Sequence, residues 1–222
     1  MLVIHGDNLV DSRKFLYAQI NQARAKGKEI IRLEGKKIDL EQLQQAIECP
    51  SLLSKEKLVV IENFCKFASP QNLTYLTKTV PQNLILWEET VSQAKLKKLN
   101  AQEKFFKLPP VIFHFLDSFL PNNRRASLRF LKQAINQSSV ETVFYQLARQ
   151  VRYLIIANQL GKSGLSDLHP YQQTKIAAQA KKFDLAQLLT FHRKLLYIDW
   201  QQKTGQAVMN LSGQLDLLVA SL

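Results

Sequence analysis

The sequence predicts two regions of different class, an α/β region with a mostly parallel sheet and then an all-α region. Three observations lead there. Through the first half, short apolar runs alternate with segments of helical spacing, the order that builds a parallel sheet covered on both faces. Two runs, Leu58-Val59-Val60-Ile61 and Leu84-Ile85-Leu86-Trp87, are apolar throughout, as strands buried on both faces are. After Pro109-Pro110 the spacing is helical to the end, with no further strand signal.

The elements follow in order. Leu2-Val3-Ile4-His5 is a short apolar run ended by the turn cluster Gly6-Asp7-Asn8. Asp11-Ser12 caps a helix that carries Phe15, Leu16, Ala18, Ile20 and Ala23 and stops at Gly27. Ile30 to Leu33 is a second strand. Asp39 opens a helix through Leu40, Leu43, Ala46 and Ile47 that ends near Pro50. Leu58 to Ile61 is a strand, Leu73 to Lys78 a short helix before Pro81, and Leu84 to Trp87 a strand. Ser92 to Asn100 is a lysine-rich helix, and Lys104 to Leu108 the last strand. Beyond the two prolines the expected helices are Val111 to Leu120, Arg124 to Asn136, Glu141 to Leu160, Pro170 to Lys182, Asp184 to Lys203 and Gln206 to Leu222. Asp184 serves as an N-cap, and Gly161 and Gly205 as stops.

Composition narrows the function. The chain has 222 residues, 46% apolar and 22% charged, enough for one large or two small domains with real cores. Lysine and arginine number 30 against 18 acids, a net charge of +12. That surplus favours a polyanionic partner, with DNA or RNA ahead of an anionic membrane surface. The apolar run at Met1 to Ile4 is too short for a signal peptide, and no stretch approaches the ~18 apolar residues of a membrane span. Cys49 and Cys65 are the only cysteines, which suits a reducing, cytoplasmic setting.

Several chemistries are missing. Gly161-Lys162-Ser163 has the end of a P-loop motif, but the required first glycine falls at Ile156, and the triplet ends a helix where a P-loop opens one. A phosphate loop belongs after the first strand. There, Gly6 to Arg13 holds one glycine, no lysine and two acids, which repel a triphosphate. Glu62-Asn63 and Glu88-Glu89 follow apolar strands, the place of a magnesium-binding pair, yet strand-end glutamates are more often solvated or capping. His5, His114, His169 and His192 lack metal-ligand spacing. His192 suits a packed or surface position. No catalytic residue, metal site or cofactor is expected.

Three stretches resemble one family. Leu2-Val3-Ile4-His5-Gly6-Asp7 followed by a helix is similar to the start of bacterial DNA polymerase III delta subunits. Ile47 to Asn63, with Pro50-Ser51-Leu52-Leu53 before an apolar strand, is similar to another element of that family. Leu147-Ala148-Arg149-Gln150-Val151-Arg152-Tyr153-Leu154, then His169-Pro170-Tyr171, then Asp199 with Lys203-Thr204-Gly205, resembles the delta collar domain in order and spacing. The resemblance implies a clamp-opening subunit of the clamp loader, with an AAA+-like domain that binds no ATP and an all-α collar-like domain. It implies no catalysis by this chain itself, within a DNA-directed DNA polymerase holoenzyme. The implied partners are the sliding clamp, the other clamp-loader subunits and primer–template DNA. The family places a helical lid between the two domains. Here Lys104 to Leu108 resembles the end of the first domain and Val111 to Phe119 the end of the lid. The expected division is therefore an AAA+-like domain over 1–108, remnant lid or connector helices over 109–138, and a collar-like domain over 139–222.

The resemblance also implies site residues. Ser51, Leu52 and Leu53 occupy the position of a hydrophobic wedge that enters a pocket on the clamp. An exposed leucine pair suits such a pocket; the plainer alternative is that the leucines cap the core. For DNA, Arg125, Arg129 and Lys132 share one helix face, as Arg149 and Arg152 do on another. Lys95, Lys97 and Lys98 cluster before the last strand. Lys203 and Thr204 are expected in a turn before the final helix, where free N–H groups and a lysine meet an anion. Trp200, Tyr197 and Tyr153 are expected in the core. Two other readings stand beside the clamp-loader one: a stand-alone basic DNA- or RNA-binding module derived from the same fold, and a residual NTPase.

Overall fold

The computed structural model describes residues 1–50 and 56–222. The chain forms two compact units, Met1–Lys107 and Leu108–Leu222.

The first unit runs β1 (Leu2–His5), α1 (Leu9–Ala25), β2 (Glu29–Glu34), α2 (Leu40–Glu48), β3 (Lys57–Glu62), α3 (Phe64–Phe67), α4 (Pro70–Thr79), β4 (Leu84–Glu88), α5 (Gln93–Leu99) and β5 (Gln102–Phe105). The strands make one parallel sheet in the order β2-β3-β4-β1-β5. Side chains alternate across a strand. Val59, Ile61, Leu84 and Leu86 therefore meet Leu43 and Leu76 on one face, while Val60, Ile85 and Trp87 meet Leu16 and Ile20 on the other. Burial on both faces is why β3 and β4 are continuous apolar runs, and each such side chain contributes about 1.5–3 kcal/mol.

Caps set the helix starts. Asn8 begins α1, its side chain accepting from the Asp11 N–H at 3.2 Å, three residues ahead of the expected Asp11-Ser12 cap. Asp39 and Gln42 form a reciprocal capping box on α2. Ser69 caps α4, whose first residue is Pro70, so α4 starts before the expected Leu73. The four-residue α3 has no periodicity to betray it. The last strand lies at Gln102–Phe105, two residues ahead of expectation, because Leu2 to His5 align with those residues. It is a sheet edge with all four residues exposed, so apolar content could not mark it.

The second unit is helical: α6 (Pro110–Ser118), α7 (Arg124–Gln137), α8 (Val140–Leu160), α9 (Pro170–Ala180), α10 (Leu185–Thr204) and α11 (Leu211–Ala220). All six contribute to one core, with Phe115, Phe119, Leu131, Leu147, Leu154, Leu188 and Leu215 among its buried members. Phe119 meets Phe191 edge-on, with centroids 5.3 Å apart. Buried Gln179 donates to the carbonyls of Leu116 and Phe119, each at 2.8 Å, and so ties α9 to the end of α6. Gly161 ends α8 with φ 63° and leads into a 3-10 turn, so Gly161-Lys162-Ser163 terminates a helix as expected. The final helix starts at Leu211 and not near Gln206, because Gly205 (φ 71°) stops α10 and Asn210 caps α11 through the Gly213 N–H. Among the described residues no helix is long and apolar enough to cross a membrane.

Candidate functional site

Beyond the carboxyl ends of β1, β3 and β4 lies the place where parallel sheets bind ligands. Here it is filled by the chain itself. Gly6 has φ 134°, and a Cβ there would stand 2.0 Å from the Phe106 carbonyl oxygen. That oxygen accepts the Asn8 N–H at 3.1 Å. The Asp11 N–H donates to Asn8 Oδ1 and the Ser12 N–H to the Asn8 carbonyl, at 3.2 and 3.1 Å. The N–H groups that cradle a phosphate in a P-loop are engaged internally at Asn8, Asp11 and Ser12. The Arg13 guanidinium covers the Trp87 ring at 3.9 Å, and the indole N–H donates to Ser12 Oγ at 3.2 Å. Glu62 pairs with both Arg13 (3.2 Å) and Arg32 (2.6 Å), which raises the Arg32 pKa chiefly through their hydrogen bond. Buried His5 lies 2.6 Å from Glu103 across β1 and β5.

Glu88 departs from expectation. A strand-end glutamate is expected in solvent or at a cap; Glu88 is a cap but is only 1% exposed. Its Oε1 accepts the Cys65 N–H at 2.8 Å, and its Oε2 is buried with no hydrogen-bond partner among the described residues. Burial pushes this carboxyl up to about 7, against the opposing pull of the Cys65 N–H and Lys95. Burial, and then the Glu88 charge, push the Cys65 thiol up to about 12. Lys95 donates to the Cys65 carbonyl at 2.5 Å. One side chain from β4 and one from α5 thus fix α3. Among the described residues no group of three or more histidine, cysteine or acidic side chains could hold a metal ion.

The expected wedge residues Ser51, Leu52 and Leu53 lie outside the described residues. Their segment joins α2 to β3. Before it Cys49 ends α2, and after it the Lys57 ammonium donates to the Cys49 carbonyl.

On α7, Arg125, Arg129 and Lys132 are exposed, while Ser127, Leu131 and Ala134 are buried. Arg129 lies over the Phe130 ring at 4.7 Å. Lys203 and Thr204 sit in the last turn of α10, not in the expected turn before a final helix. Backbone carbonyls, not free N–H groups, end such a turn. Lys203 pairs with Asp199 at 2.7 Å, and the Thr204 hydroxyl donates to the Trp200 carbonyl at 2.9 Å.

Tyr197 and Trp200 also depart from expectation. They were expected in the core but are 57% and 45% exposed, stacked with centroids 5.7 Å apart. The signal was present: Leu188, Phe191, Leu195 and Ile198 form the buried stripe of α10, and the two aromatics fall off it. Tyr153 is half-buried, with Arg149 and Arg152 over its ring at 5.4 and 5.6 Å.

Residues 111–220, nearly the whole helical unit, match the family model described as DNA polymerase III delta subunit, C-terminal domain. This part of the chain is therefore similar to the C-terminal domain of DNA polymerase III delta subunits. No curated protein sequence matches the chain. Among solved structures it is similar to the Bacillus subtilis DNA clamp loader delta protein (YqeN), at 12% identity and a TM-score of 0.45, over 99% of this chain and 94% of that one.

Proposed function

We propose that this delta-like chain is the clamp-binding subunit of a clamp loader and works without hydrolysing ATP. It binds a sliding clamp through Ser51, Leu52 and Leu53, joins the other loader subunits through its helical unit, and helps to open the clamp at primer–template DNA. One observation carries the reading: a delta-type C-terminal domain shares its chain with a parallel sheet whose phosphate loop has engaged its own N–H groups. Such a chain keeps surfaces for contact and has no cradle for a triphosphate.

The clamp test is direct. Replacing Leu52 and Leu53 together by Ser should abolish capture of the chain by purified sliding clamp and leave the melting temperature nearly unchanged. A large loss of stability, with capture retained by the folded fraction, would place the leucines in the core and refute the wedge.

DNA contact is proposed on narrower grounds. Arg125, Arg129 and Lys132 present a basic face, and Lys203 and Thr204 lie beside the exposed Trp200. The exposed Tyr197–Trp200 stack favours a second reading, a stand-alone nucleic-acid-binding module, because exposed aromatics with nearby cations suit single strands. Tight DNA binding with no capture by clamp would select that reading.

A further inference from the structure

Two stretches singled out in the sequence, Leu147 to Leu154 and His169 to Tyr171, lie far apart in the chain. The fold brings them to one pocket. Arg149 and Tyr153 come from α8, Tyr171 and Lys175 from α9, and Phe113 and Asp117 from α6. The pocket holds about 250 Å³, below the usual range for small-molecule and cofactor sites and close to the size of one large side chain.

Its chemistry is graded from floor to rim. Leu116, Leu168 and Ile176 make the wall apolar. Gln146, 5% exposed, also lines it, and a side-chain amide can both donate to and accept from a docked backbone. At the mouth stand the exposed rings of Phe113 and of Tyr171, the latter 70% exposed. The charges at the rim are unequal. Asp117 is neutralised by Lys175 at 2.6 Å. Arg149 is exposed and forms no ion pair among the described residues; its Nε reaches only the Tyr153 hydroxyl, at 3.4 Å. One guanidinium is thus available beside an apolar hole that the Gln146 side chain also lines.

We propose that this pocket docks an acidic protein segment: an aromatic or large apolar side chain enters it, its backbone meets the Gln146 amide, and a neighbouring carboxylate pairs with Arg149. Charge complementarity selects an acidic partner, since the helical unit carries 13 lysines and arginines against 6 acids. The site is distinct from the Ser51–Leu53 segment, and its test does not depend on clamp binding.

The smallest probe with both features is 3-phenylpropionate, with 3-phenylpropanamide as its uncharged counterpart and oligothymidine as a nucleic-acid control. Each is titrated into the full ¹⁵N-labelled chain. The acid should give saturable shifts confined to amides near Gln146 to Tyr153 and Tyr171 to Ile176. The amide, and Arg149→Gln with the acid, should bind about tenfold more weakly, as loss of a charge-assisted hydrogen bond requires. Equal binding of acid and amide, absence of saturable shifts at these residues, or tighter binding of oligothymidine at the same residues would each overturn the proposal. The acid–amide comparison uses the unaltered chain, so it holds even if the variant misfolds.

Discussion

Glu88 makes stability depend on pH in an unusual direction. In the fold its carboxyl titrates near 7 because burial opposes the charge, whereas in the unfolded chain it titrates near the ordinary ~4.3. Between those values the folded chain keeps a proton that the unfolded chain has lost. This group's contribution is therefore fully present below about 4.3, falls as pH rises towards 7, and is flat above. The full effect is on the order of 3 kcal/mol. Urea midpoints should be lower at pH 8 than at pH 5. Glu88→Gln, which keeps an oxygen for the Cys65 N–H, should shrink that difference; equal midpoints for the unaltered chain would mean that the carboxylate is solvated after all. A second residue bears on the loop after β1. At Gly6 both the φ of 134° and the 2.0 Å approach to a backbone oxygen forbid a Cβ. Gly6→Ala should cost about 2 kcal/mol or more, read as a lower urea midpoint. A neutral result would mean that the loop is not held against Phe106.

At the scale of elements, α7 separates two roles cleanly. Leu131 and Ala134 bury one side of it, and Arg125, Arg129 and Lys132 face solvent. Replacing the three basic residues by alanine should leave thermal stability within about 0.5 kcal/mol. If they meet phosphates, each lost contact reduces the slope of log affinity against log salt by about one. An unchanged slope would remove α7 from the DNA surface. Elements were legible in the sequence where burial is complete. The apolar runs at Leu58 to Ile61 and Leu84 to Trp87 mark central strands, and the caps at Asp39 and Asp184 mark helix starts. Legibility failed where burial is partial or the element is short. The exposed edge strand β5 carries no apolar signature, and the single turn of α3 carries no period. Glu88 looked like a solvated or capping strand end; the cap is present, but its burial was not legible because sequence cannot show that α3 closes over it. Tyr197 and Trp200 resemble core residues in type, since aromatics on amphipathic helices are more often buried, but both lie off the buried stripe of α10.

At the scale of the whole molecule, the proposed function requires that the chain be indifferent to nucleotide. The loop after β1 occupies the right position in a parallel sheet, but its Asn8, Asp11 and Ser12 N–H groups already have acceptors, and Arg13 is held between Trp87 and Glu62. Admitting a triphosphate would require giving up those bonds and bringing phosphate charge beside Asp7 and Asp11. Mass action turns this into a measurement. A ligand that binds only the folded state stabilises it by about 2.7 kcal/mol at one hundred times its dissociation constant. Millimolar ATP with magnesium would therefore visibly raise the melting temperature if the loop bound it even at tens of micromolar. We expect no rise, and capture by sliding clamp should be the same with ATP, with ADP and with neither. A nucleotide-dependent melting temperature would restore the NTPase reading and show that the loop opens. An unchanged melting temperature with nucleotide-dependent clamp capture by the purified chain would contradict the idea that the clamp-binding segment acts free of nucleotide control. The two measurements therefore test separately the proposed lack of a nucleotide cradle and the proposed independence of the clamp-contact surface.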